Sequence, residues 1–311
     1  MKKNYLYLLL ISMMAIWGFN VIAVKIVVTE FPPVTITALR IFIAFLALAP
    51  FIFYKKLYRT LTRKEWYYVI GISTFGIFGF QYFMSVGLNY STATNAGIIL
   101  GASPIATAIA AAIFLKDKLT IPRGFGFLLG FIGVTTIIMA GGNEGFSISM
   151  GDLYLCIAVI VQTISFVLIK KASETLNTTY MTGMTLLIGS IMTMIIGFFS
   201  EPNGISQIQG GSSLAWGLLV FSGFVATGLG YLIVNSAIQQ VGAGNSAIFL
   251  NLSPFFSVIS AYFVLHESIY LSHWAGFSLI VIGVLLGAGI GQAKPNKEST
   301  VRTSITINRV P

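Results

Sequence analysis

Apolar and polar positions alternate along this chain on a scale far longer than one strand or one amphipathic helix. Apolar runs of about 20 residues, the length that crosses the hydrocarbon core of a bilayer, are separated by short polar breaks. They predict helices at 5–28, 34–54, 66–88, 152–169, 180–199 and 214–236, with a further pair inside 95–134 and another inside 245–284. Pro32-Pro33 divides the first two runs. A Gly-, Ser- and Asn-rich loop at 141–151 divides the chain near its middle, and Pro202 and Gly204 mark a turn-rich connector at 200–213. Trp66, Tyr67 and Tyr68 form an interfacial aromatic belt at the start of the third run. The first run, behind Met1-Lys2-Lys3, is too long for a signal peptide and reads as a retained helix.

The segments 95–134 and 245–284 align without a gap, and fourteen of the forty positions are identical. The matches include Asn95/Asn245, Ser103/Ser253, Pro104/Pro254, Gly126/Gly276 and Gly133/Gly283. A repeat at a fixed offset is the mark of a duplicated unit. The turn inside the copies differs. It reads Lys116-Asp117-Lys118 with Arg123 in the first, and His266-Glu267-Ser268 with His273 in the second, so every full positive charge is gone.

Composition fits a membrane location. The chain of 311 residues is 56% hydrophobic and 9% charged, with mean hydropathy +0.88, against about 25% charged in soluble domains. No polar segment is long enough to bury a core of its own. Cys156, the single cysteine, lies in an apolar run and excludes a disulfide framework. The net charge of +9 would suggest nucleic acid in a soluble protein, but topology accounts for it here. With the N-terminus inside, sixteen of the eighteen Lys and Arg fall in inside segments and none in an outside loop; Lys25 and Arg40 lie within helices. Each half then holds five spans, an odd number, so the second half is inverted relative to the first. The stripped turn at His266 is external and the basic turn at Lys116 cytoplasmic. The expectation is an all-α polytopic membrane protein of ten transmembrane helices in two inverted five-helix repeats, 5–140 and 152–291. A tail at 292–311 completes it, and both termini are cytoplasmic. Inverted repeats supply the two interconvertible states that alternating access needs.

The paired halves, Trp17-Gly18-Phe19-Asn20 on the first span, Ala38-Leu39-Arg40 on the second and the twin Ser-Pro helices resemble the EamA family of the drug/metabolite transporter superfamily. The likeness runs from about residue 5 to 290, nearly the whole chain. It implies a ten-helix inverted-repeat fold, a central cavity and transport of small metabolites, often export of amino acids or related compounds, across the plasma membrane. The second half departs from the first, with Gln162-Thr163-Ile164-Ser165 where the first has Trp17 to Asn20, and Thr185 about where it has Arg40. The cavity is therefore expected to be chemically asymmetric.

Polar side chains inside a bilayer are costly and turn toward protein or water. Trp17, Asn20, Gln81, Gln162, Ser165 and Asn251 lie near mid-depth and Tyr231 nearer the cytoplasm; all are expected to bind substrate. The blander reading is interhelical glue, at about 0.6–2 kcal/mol per hydrogen bond. Lys25 is expected to snorkel to the outer interface. Arg40 lies deeper, and its planar fork suits a carboxylate. Pro104 and Pro254 are expected to free the carbonyls of Leu100 and Leu250 and to serve as hinges.

The absences narrow the chemistry. The sequence has no phosphate-binding loop, metal-ligand cluster or clustered nucleophile and base, so no cofactor, metal or catalytic residue is expected. All nine acids fall in loops or at span ends, which leaves no mid-membrane carboxylate relay. The expected partners are a small-molecule substrate and the lipid bilayer, with no nucleic acid. A scaffold or receptor subunit and an intramembrane enzyme are the competing readings.

Overall fold

In the computed structural model, residues 3–91, 99–117, 120–141, 149–265 and 271–287 are described. Outside them lie most of the 141–151 loop, Lys118, the His266-Glu267-Ser268 turn and the 292–311 tail, together with the side chain of Lys25. The described chain is helical throughout, without strands. The helices are α1 (Lys3–Glu30), α2 (Pro33–Tyr54), α3 (63–90), α4 (Ile99–Phe114) and α5 (Ile121–Gly141). They continue with α6 (Met150–Ala172), α7 (Thr178–Ser200), α8 (Ser213–Val241), α9 (Ala243–Val264) and α10 (Leu271–Gly287). Six of these, α1, α2, α6, α7, α8 and α9, are long and apolar enough to cross a membrane. The apolar stretches Ile99–Phe114, Ile121–Ile137 and Leu271–Gly287 are shorter among the described residues.

Local chemistry starts and stops the helices where the polar breaks predict. Thr62 and Glu65 form a capping box at the start of α3, and Ser149 and Asp152 another at the start of α6. Asn177 caps α7, Ser212 caps α8, and Pro33 occupies the first turn of α2, where its missing N–H costs nothing. Gly242, at φ +96°, ends α8 in a conformation that L side chains rarely adopt. The connector 200–213 is not all turn, for it holds a short helix at Gly204–Gln207.

Two features were not expected from the apolar runs. First, α3 and α8 are each interrupted by a π-helical turn, at Ser73–Gly79 and Ser222–Leu229, so the interruption recurs at nearly the same place in both halves. Second, the Ser-Pro pairs do not kink a continuous helix. In α4 the chain turns at Ala102 and a new α-helical segment begins at Ser103. In α9 a 3₁₀ turn at Ile248–Asn251 precedes Leu252. Pro104 thus sits in a first turn, where no ladder hydrogen bond is lost.

The most extensive helix pairs all join one half of the chain to the other: α5 with α10, α2 with α7, α1 with α9, and α3 with α6. The α5–α10 seam is the closest. A Cβ at Gly133 would fall 2.6 Å from the Gly276 carbonyl oxygen, and one at Gly276 the same distance from that of Gly133. Gly126 meets Gly283 in the same reciprocal way. Small residues let helix backbones approach this closely in lipid, where packing rather than water exclusion drives association. Outward faces carry large apolar side chains such as Phe199, 81% exposed, and Leu271, 85% exposed. Lipid, not water, is the medium that suits such a surface.

Candidate functional site

The π turn of α8 is the place where predicted site residues meet. A wider turn displaces backbone carbonyls from the regular ladder. One of them, Ala226 O, accepts a hydrogen bond of 2.7 Å from Trp17 Nε1 of α1. The half-buried indole packs beside Gly230 and lies 6.2 Å, ring to ring, from Tyr231. Arg40 of α2 meets the same π turn, for a Cβ at Gly223 would fall 2.9 Å from the Arg40 carbonyl oxygen. Trp17, Arg40 and Tyr231, which are far apart in sequence, therefore form one group.

A small cavity, with room for about one water molecule, lies beside Arg40, between α1, α2 and α8. Val24, Val27 and Val28 of α1 and Leu219 of α8 make its apolar wall, while Thr37, Arg40 and Ser222 bring polar atoms to it. The Arg40 Nε and the Ser222 hydroxyl are buried and have no hydrogen-bond partner among the described residues. Asn20, three residues after Trp17, likewise has its carbonyl oxygen Oδ1 buried and unpartnered.

The other predicted residues lie elsewhere. Gln162 and Ser165 are buried on α6, and the Ser165 side chain fills the space over Gly76 in the π turn of α3. The Gln162 Oε1 has no partner. Gln81 is half-buried on α3, just past that π turn. Asn251 is buried where α9 passes α5, its Nδ2 directly over Gly130 and without a hydrogen-bond acceptor. Among the described residues no hydrogen bond or ring contact links these four to the Trp17–Arg40–Tyr231 group. Sequence reasoning missed Thr37 and Ser222. A Ser-Gly pair inside an apolar run carries the signal, but it looks the same as ordinary helix packing.

The EamA-like transporter family model matches residues 4–139 and again 149–288. The chain belongs to this family. It is 31% identical over 299 residues to the Uncharacterized transporter YyaM of Bacillus subtilis (strain 168), covering 93% of this chain and 95% of that one. It is 26% identical over 290 residues to an Uncharacterized transporter of Archaeoglobus fulgidus, covering 92% and 98%. A solved crystal structure superposes with a TM-score of 0.80 at 16% identity, over 91% of this chain and 98% of that chain. At that identity the likeness concerns the fold alone. This EamA-like protein is a membrane transporter, with lipid around it and a small molecule as substrate.

Polar ties across the transporter's two halves cluster at the helix ends. At one end the Glu201 carboxylate accepts from the Val34 N–H (2.9 Å), the Thr35 N–H (2.8 Å) and the Thr35 hydroxyl (2.7 Å), capping α2. Glu30 accepts from the Ser212 N–H (2.6 Å) and hydroxyl (2.8 Å) at the start of α8. Carboxylates complement the free N–H groups and positive dipole of a helix N-terminus. At the opposite helix ends, Arg59 donates to Glu65 and to the Thr175 carbonyl, while the Tyr180 hydroxyl donates to the Arg59 carbonyl. The Arg59 hydrogen bond, with that of the Thr62 N–H behind it, lowers the Glu65 carboxyl from its ordinary 4.5 to about 2.

Proposed function

We propose that the protein is a secondary transporter in the plasma membrane, built of ten membrane-spanning helices in two inverted five-helix repeats with both termini cytoplasmic. It moves small polar metabolites, amino acids or related compounds, outward by alternating access around a central cavity. Trp17, Asn20, Arg40, Gln81, Gln162, Ser165, Tyr231 and Asn251 line the path, and the breaks before Pro104 and Pro254 act as hinges.

The observation that carries this reading is the reciprocal glycine seam. Gly126 and Gly276 are equivalent in the two copies, as are Gly133 and Gly283. In the structure Gly126 meets Gly283, and Gly133 meets Gly276. Equivalent positions exchange places across an antiparallel pair, as a two-fold axis lying in the membrane plane requires. The two sets of polar ties support the same topology. Loop residues 30, 201 and 212 gather at one end, and 59, 65, 175 and 180 at the other.

Flux and detergent melting temperature measured on the same Trp17→Ala sample test the path. Flux should fall sharply with melting nearly unchanged. A large melting drop, with flux falling only in proportion to folded protein, would return Trp17 to a packing role. Topology is tested with single cysteines after Cys156→Ser. Sites at Lys56, Lys118 and Lys171 should be shielded from an impermeant thiol reagent in whole cells, while Asn143, Asn203 and Glu267 should label. Labelling at Lys118 with protection at Glu267 would sink the inverted arrangement.

A further inference from the structure

We propose that Val21, Ser257 and Val258 form one gate of the transport path, which stands open, and that Phe166, Thr107 and Ala108 form the opposite gate, which stands shut. This deepens the transport reading and rests on it for the path and for which end is cytoplasmic. Equivalent positions in the two halves differ in burial. Gln162 corresponds to Trp17 and Asn245 to Asn95, so Phe166 matches Val21, Ser257 matches Thr107 and Val258 matches Ala108. Phe166, Thr107 and Ala108 are buried. Val21 is 55% exposed, and Ser257 and Val258 are half-buried. An inverted repeat points the members of each pair toward opposite membrane faces. The three buried members lie in the parts of α4 and α6 that lead to the Arg59–Glu65 end. The three open ones lie in the parts of α1 and α9 that lead to the Glu30–Ser212 end. The difference is not general, because Val69 and Leu219, matched across α3 and α8, are both fully buried.

A lipid-facing position does not account for Val21. Tyr5, Leu8 and Ser12 mark the lipid side of α1. The other side carries Tyr7 and Met14, which belong to the same buried cluster as Phe166, Ala108 and Phe249; the Tyr7 and Phe249 rings are 5.0 Å apart. Tyr7, Met14 and Val21 follow one another at intervals of seven, and seven residues return to nearly the same side of a helix. The core-facing stripe of α1 is therefore buried at Tyr7 and Met14 and open at Val21. The shut gate also carries a cost that opening removes. The Thr107 hydroxyl is buried without a partner, and such a group is penalised until it meets water or another polar atom. Its counterpart Ser257 is not sealed in this way. When the matched sets exchange surroundings, Val21 and Val258 become buried and Phe166 and Ala108 become exposed, which is the second state that alternating access needs.

The test uses the full chain in nanodiscs, where both membrane faces meet solvent, so an error in orientation cannot imitate its outcomes. On a Cys156→Ser background, single cysteines replace Val21, Ser257, Thr107, Ala108 and, as a lipid-facing control, Ile160. Val21 and Ile160 are almost equally exposed, at 55% and 56%. Only water at the thiol separates them, because the thiolate reacts and an apolar medium suppresses it. Val21→Cys and Ser257→Cys should react with a water-soluble maleimide at least tenfold faster than Thr107→Cys, Ala108→Cys and Ile160→Cys. Adding Phe166→Ala to Ala108→Cys should raise its rate at least fivefold. Val21→Cys as slow as Ile160→Cys would place Val21 in lipid and overturn the proposal. So would Ala108→Cys as fast as Val21→Cys, or an Ala108→Cys rate unmoved by Phe166→Ala. Ser257→Cys and Thr107→Cys change little in size, and equal rates at that pair overturn the proposal even where a larger replacement fails to fold. The expected rates in a protein that moves no solute would refute the transport reading and leave the open and shut ends standing.

Discussion

Two equivalent helix crossings between the halves, α3 with α7 and α8 with α2, have nearly the same backbone and opposite chemistry. Where α3 passes α7, the π turn of one lies against the Thr185 carbonyl of the other. Ser73 donates to that carbonyl at 3.2 Å and to Val69 O at 2.8 Å, while the Thr185 hydroxyl donates to Thr182 O at 3.0 Å. Where α8 passes α2, Gly223 takes the place of Ser73. A Cβ there would fall 2.9 Å from the Arg40 carbonyl oxygen. Beside it Arg40 Nε and the Ser222 hydroxyl are buried and unpartnered. The first crossing is saturated and contributes to folding. The second keeps hydrogen-bonding capacity in reserve. Duplication builds the scaffold twice, and a few substitutions in one copy turn a structural joint into a place where something can bind.

The largest expected effect falls on the open crossing. Arg40→Leu should reduce flux to background while leaving the melting temperature nearly unchanged, because the Arg40 Nε holds no hydrogen bond that the change could break. Flux preserved in that variant would erase the functional difference between the crossings.

Next come changes that overfill each π turn. A Cβ at Gly76 would lie 2.7 Å from Ser165 Cβ, and one at Gly223 2.7 Å from Ile43 Cγ2. Gly76→Val and Gly223→Val should each destabilise by about 1–3 kcal/mol, read as melting temperature. Gly223→Val should lower flux per folded molecule more than Gly76→Val.

Removing a hydroxyl from each side is a finer probe. Ser73→Ala removes the one hydroxyl proton that Val69 O and Thr185 O share in a fully buried place and should cost about 1 kcal/mol. Ser222→Ala removes a buried hydroxyl that has no partner, so it should be neutral or stabilising. Equal losses from the two substitutions would contradict the contrast.

The smallest effect lies outside both crossings and serves as a control. Because folding lowers the Glu65 carboxyl from 4.5 to about 2, its stabilisation is complete above pH 4.5 and is lost as pH falls toward 2. The melting difference between the parent and Glu65→Gln should shrink across that window. Arg59 is half-exposed, so solvent screens the pair and the difference stays small at every pH.

Much of the fold is legible in the sequence. Helix positions follow from runs of bilayer length, and caps such as Thr62–Glu65 and Ser149–Asp152 follow from side chains within three residues of the helix start. The repeat can be counted directly. These are local properties, set by neighbours in the chain. Trp17, Arg40 and Tyr231 also stand out, as large polar or aromatic groups in apolar runs. That they meet one another was not legible, because their contact depends on how α1, α2 and α8 cross. The π turns were invisible because residues 73–79 and 222–229 have no composition that separates them from ordinary helix. The turn at Ala102, after which a new helical segment starts at Ser103, was not legible because a continuous apolar run hides it. Asn251 looked like any mid-membrane amide, and only the approach of Gly130 reveals the helix seam it occupies. Sequence by itself determined which segments are helical, how they repeat and which side chains are too polar for lipid, because burial length and capping act over one or two turns. Tertiary structure alone decided which of those side chains are saturated and which are left unpaired, because a hydrogen bond between helices requires two backbones to be brought within reach by everything packed around them.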